Sequence, residues 1–177
     1  MTITEALAEI KTINKRVANK RKFVQDYLLR PEMMRDPHDK DGGSALLIES
    51  ELQAIKDLEL RKVNIRQAIA KANSVEMLTI GGDNKSLAQW LIWRREVAPG
   101  MQTFVTGLRN QIVRGRQAFI GQEQIEGRKI SDGVVKLDLV VNIDEAKLNR
   151  SIENLEEILG NLDGALSLKN ATVHIEI

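Results

Sequence analysis

Apolar residues fall at helical intervals over the first third of the chain. Ile3, Leu7, Ile10, Ile13, Val17, Val24 and Leu28 recur at spacings compatible with one helix face, which predicts an amphipathic helix ending near Arg30. Thr2 and Glu5 have capping-box spacing at its start, and Pro31 supplies the stop. A repeat close to 3.5 residues predicts coiled-coil-like packing. Residues 31–43 hold Pro31, Pro37, Gly42 and Gly43 in a polar run, the pattern of a loop. Ser44 is placed to cap a second helix running to about Asn73. Its apolar residues, from Leu47 and Ile48 through Ile55, Leu58, Ile65 and Ile69 to Ala72, cover a broad arc, which predicts two neighbours.

Met77–Ile80 is an extended candidate before Gly81 and Gly82, with Asp83 or Ser86 able to cap a third helix. Leu87, Leu91, Val97, Met101, Val105, Leu108 and Ile112 keep helical phase across Pro99. A true loop would usually reset that phase, so the pattern predicts one kinked helix over about 85–118 rather than a break. The glycine-punctuated segment 119–133 reads as a loop or irregular hairpin. Leu137, Leu139, Val141 and Ile143 then alternate as in a strand. Asp144 can cap a helix carrying Leu148, Ile152, Leu155 and Leu162, with Gly160 and Gly164 marking its end region. The chain finishes on a second alternation, Thr172–Ile177. The expected fold is α+β and predominantly α. It comprises a bundle of long antiparallel helices over 1–118, a loop over 119–133, and a small strand–helix–strand unit over 134–177. Two strands and one helix cannot shield a sheet, so further strands from this chain or from a second copy are needed. Homo-oligomerisation is the expectation.

Composition narrows the function classes. Aromatic residues are 3 % of the chain, so the core is aliphatic. The 26 basic and 25 acidic residues leave a net charge of +1, which argues against a strongly electrostatic nucleic-acid or membrane binder. Cysteine is absent, excluding disulfides and thiol chemistry, and two histidines cannot build a multi-histidine metal centre. The N-terminus has no leader pattern and no apolar run is long enough to span a membrane. The expected setting is the cytoplasm of a bacterial cell or a phage-infected host.

Four groups of residues carry candidate chemistry. The loop Asp36–Gly43 offers Asp36, His38, Asp39 and Asp41 to a divalent ion, but aligning Gly42 on the EF-hand glycine puts Pro37 and Ile48 at required ligand positions. A solvated turn is the simpler reading. The segment from Thr79 to Ser86 approaches a phosphate loop, yet lacks the Walker spacing, with Asn84 and Thr79 where glycines belong. Gly81, Gly82, Lys85 and Ser86 could still hold one anion at a helix start. Trp90, Arg94 and Arg95 follow on the next turns, and Arg94 could stack on Trp90. Packing by Trp90 and Trp93 is the plainer alternative. Arg109, Arg114 and Arg116 form a basic stretch that nucleic acid could use, although a solvated charged face explains it as well. No nucleophile–base pair, Gly-x-Ser-x-Gly elbow or His-Glu-x-x-His motif is present, so no catalytic residue, metal or cofactor is expected.

Several short motifs resemble the septicolysin-like family of small helical bacterial and phage-encoded proteins. They are Glu5-Ala6-Leu7, the loop ending Asp41-Gly42-Gly43, the stretch Ile65–Asn73, and the glycine turn leading into Ser86-Leu87-Ala88 and Arg94-Arg95-Glu96. The resemblance covers the first two-thirds of the chain. It implies long helices and oligomerisation and carries over no catalytic residue. The expected function is therefore a non-enzymatic oligomeric binding or assembly protein, with phage encoding as one setting. The alternative is a sponge for a phosphorylated nucleotide signal, bound between subunits through Gly81, Gly82, Lys85, Ser86, Trp90, Arg94 and Arg95. A nucleic-acid binder acting through Arg109, Arg114 and Arg116 ranks third.

Overall fold

The structure, a computed structural model, describes residues 1–125 and 139–177, and side chains except over 119–138. It is mostly helical, and among the described residues it has one small antiparallel hairpin, at mid-chain. Its residues pack as two compact units, Met1–Met77 with Ala165–Ile177, and Leu78–Gly164.

In the first unit, α1 (Ile3–Tyr27) and α2 (Ser44–Val75) form an antiparallel pair. The capping box is present: Thr2 Oγ1 accepts from the Glu5 amide, and Glu5 accepts from the Thr2 amide at 2.8 Å. Ile3, Ala6, Ile10, Ile13 and Val17 are the buried residues of α1. Their alternating three- and four-residue spacing is a coiled-coil seam. They pack on Ile55, Ile65 and Ile69 of α2, with Leu58, Ala68 and Ala72 at the margin. Lys20–Glu51, Arg21–Glu59 and Arg61–Glu9 pairs flank the seam. The broad apolar arc of α2 does not become a two-sided contact among the described residues. Leu52, Leu60 and Val63 are exposed.

The first unit is completed by the C-terminal tail. Val173 O accepts from the Ile3 amide, and the Ile175 amide donates to Met1 O at 2.8 Å. This makes an antiparallel bridge between Thr2 and His174, and Ile175 joins the α1–α2 core. Lys169 pairs with Glu76 at 2.8 Å.

The second unit contains most of a hairpin, β1 (Met77–Ile80) and β2 (Asp83–Ser86). Gly81 and Gly82 turn it with φ of 59° and 88°, the positive values that a two-residue hairpin turn requires. The expected strand–turn–helix is thus a strand–turn–strand before the helix. The next helix starts at Leu87 and extends to Ile125 as α3 (Leu87–Ile92), a π-turn (Trp93–Val97) and α4 (Ala98–Ile125). The helix passes Pro99, as its apolar phase predicts, and extends beyond the expected end at 118. The π-turn accommodates the proline: the Ala98 amide donates to Trp93 O, five residues back. A widened turn moves carbonyls away from where a proline ring would strike them.

The final helix, α5 (Glu145–Thr172), corrects the C-terminal expectation. Asp144 caps it as predicted, its carboxylate accepting from the Ala146 and Lys147 amides. The helix does not end near Gly160 and Gly164 but runs through both. Two helical glycines cost about 1 kcal/mol each relative to alanine, which the buried Leu162 and Leu166 outweigh. Thr172 is helical and the tail makes a single bridge, not a strand. Residues 139–143 are irregular, with Leu139, Val140 and Ile143 exposed. Residues 135–138 of the other expected strand, and most of the expected loop 119–133, lie outside the described residues. Among the described residues the strand–helix–strand unit is therefore not formed.

Candidate functional site

The glycine turn delivers Ser86 to the start of α3. Ser86 is buried; its Oγ accepts from the Gln89 amide at 3.2 Å, and the Ser86 amide donates to Gln89 Oε1 at 2.9 Å. That reciprocal cap satisfies the helix start from within the chain. The hydroxyl and the amide of Ser86, which an anion would contact, are thereby occupied with capping. Gly81 lies at the tip, where an added Cβ would come within 3.3 Å of Ile158. Its lack of a side chain thus serves both the turn and the approach to α5.

Trp90 is 1 % exposed. Its indole Nε1 donates to Leu78 O at 2.8 Å, and its ring meets Trp93 edge-on at 5.5 Å. It anchors the hairpin to α3, with no face open to a base. Lys85, not Arg94, sits over the indole, with Nζ 4.5 Å from the ring centroid, and it also pairs with Asp83. Arg94 pairs with Asp163 of α5 at 2.9 Å, and Arg95 with Glu96 at 2.5 Å. The proposed anion-binding set is thus close in space around α3, but each cation already faces a carboxylate.

The arginines of α4 do not form one patch. Arg109 and Arg116 are seven residues apart and share a face, whereas Arg114 projects from another. Arg116 engages Glu145 in a two-pronged pair that includes a 3.0 Å contact. In the Asp36–Gly43 loop the carboxylates of Asp36 and Asp39 are likewise engaged within the chain, whereas His38 Nε2 is buried without a hydrogen-bond partner among the described residues. Asp36 accepts from the His38 amide, the Ser44 amide and Ser44 Oγ, at 2.9, 2.9 and 2.6 Å. These bonds, led by that from the Ser44 hydroxyl, hold its carboxyl well below the usual range, at about 2. Asp39 pairs with Arg35 at 3.0 Å. Among the described residues no group of three or more His, Asp or Glu side chains could hold a metal ion.

No family model and no curated protein matches the chain. A solved structure does: the crystal structure of a functionally unknown conserved protein from Corynebacterium diphtheriae, with TM-score 0.56 and 18 % identity over 99 % of each chain. At that identity the likeness concerns the fold alone.

Two features escaped sequence reasoning. Asp36 reaches over from the loop to cap α2, where spacing pointed to Ser44; an Asp eight residues ahead of a helix has no standard capping signature. The other is the set of exposed apolar side chains on the α3–α4 helix. Val97, Met101 and Phe104 are 42 %, 47 % and 65 % exposed, at spacings that place them on one face. The periodicity of Val97 and Met101 was legible, without Phe104, but the same pattern would also mark a core face. No helix among the described residues is long and apolar enough to cross a membrane.

Proposed function

We propose that the protein is a non-enzymatic binding or assembly protein that works as a homo-oligomer. The observation that carries this reading is the exposed row Val97, Met101 and Phe104, continued by the half-buried Leu108, which runs from the π-turn into α4. A contiguous apolar row on a regular element marks an interaction surface more often than a scattering of single side chains does. The exposed Leu52 and Val63 of α2 and the oligomerisation implied by the septicolysin-like resemblance support the same reading. The nucleotide-sponge reading ranks second, because Lys85, Arg94 and Arg95 have carboxylate partners within the chain and Trp90 is buried. Phage origin and a cytoplasmic setting belong to the same proposal.

The test is light scattering on the purified chain and on Phe104→Glu. An oligomer that loses subunits or weakens at least tenfold in the variant, with helicity intact, supports the reading. A wild-type monomer at high micromolar concentration overturns it.

A further inference from the structure

The C-terminal tail presents an unused β-edge. Val173 O accepts from the Ile3 amide, and Ile175 exchanges bonds with Met1 through both its N–H and its C=O. In an antiparallel pair, backbone groups of successive residues alternate between the two edges. The N–H and C=O of His174 and Glu176 therefore face the opposite edge, and among the described residues they make no hydrogen bond. Beside the tail lies an open cleft of about 280 Å³ between Val173–Glu176 and the end of α2, lined there by Ala68, Ala72 and Val75 together with the charged Lys71 and Glu76.

The residues on that edge are self-complementary. The tail reads Val173-His174-Ile175-Glu176-Ile177. An antiparallel copy centred on Ile175 sets His174 opposite Glu176, and Val173 opposite Ile177. An imidazole then meets a carboxylate and apolar meets apolar, the pairs that stabilise neighbouring strands. The centring also has the correct parity. His174 and Glu176 fall at hydrogen-bonded positions, whereas Ile175, already bonded to Met1, falls at a non-bonded one.

From this register we infer that two copies of the chain join edge to edge through residues 173–177, extending each tail bridge into one continuous sheet. His174 exchanges both backbone bonds with Glu176 of the partner subunit. The partner's Ile177, whose counterpart here is 51 % exposed, enters the cleft beside Val173, Ala68 and Ala72. This rests on the self-association reading above and adds a contact separate from the α4 row. It also manages an edge that would otherwise invite unspecific pairing.

Sedimentation velocity on the full chain tests it. Glu176→Pro removes an outward N–H without touching the bonds to Met1 and Ile3, and should weaken association at least tenfold. Glu176→Gln keeps the N–H and should stay within about threefold of wild type. His174→Glu opposes two acids and should weaken association, whereas adding Glu176→His to it restores the opposite pair and should recover most of the loss. A wild-type oligomer indifferent to Glu176→Pro overturns the inference and leaves association to another face. A wild-type monomer overturns the self-association reading, and this contact with it.

Discussion

Asp36 shows how one side chain sets the loop between the two long helices. Its carboxylate joins the His38 amide to the start of α2, and those bonds need its charged form. Because its pKa lies at about 2, below the unfolded value of about 3.9, its contribution is present above that unfolded value. The contribution is lost as pH falls through about 2. Thermal unfolding followed between pH 5 and 2 should therefore show a decline that Asp36→Asn makes shallower; equal slopes would remove Asp36 from the account. Trp90→Phe tests the hairpin anchor. It leaves Leu78 O without its donor and should cost about 1–3 kcal/mol in denaturant unfolding. Ile65→Ala, at a position with no exposure, should cost about 2–5 kcal/mol. Sequence placed Trp90 among apolar helix positions and so allowed both packing and ligand stacking. Its burial, and the hydrogen bond to a strand twelve residues earlier, depend on the hairpin, which the glycine pair announced only as a turn.

Among the elements, those with strong local signals were legible. The Thr2–Glu5 cap, the α1 seam and the Asp144 cap each rest on residues within a turn or two of one another. The C-terminal segments were misread as strands, because alternation says only that a segment would suit a sheet. Residues 139–143 have no partner strand among the described residues, and the tail pairs with the distant Thr2. The candidate anion site was legible as a cluster but not in its pairing: Asp163, which takes Arg94, lies 69 positions away in sequence. The helix through Pro99 carries a prediction of its own. A π-turn is an α-helix with one extra residue, and here that residue makes room for the proline. Deleting Arg95 should restore α geometry, destabilising the helix strongly while Pro99 is present. The same deletion should be tolerated in Pro99→Ala. Melting temperatures of the two backgrounds decide it. Equal losses would mean that the extra residue and the proline are unrelated.

For the molecule as a whole, the structural likeness to the Corynebacterium diphtheriae protein supports a shared fold, and function has to be argued from surfaces. The polar groups that could have formed a ligand site are largely engaged with one another. The exposed apolar row on α4 and the open edge of the tail are not, and both suit protein contact. Native mass spectrometry of the gently purified full chain tests this most directly, because it reports subunit number and retained small molecules together. The account predicts an oligomer without added mass, and a lower subunit number in Phe104→Glu. A bare monomer would contradict it, and an oligomer carrying a few hundred daltons of extra mass per subunit would move the function to ligand sequestration.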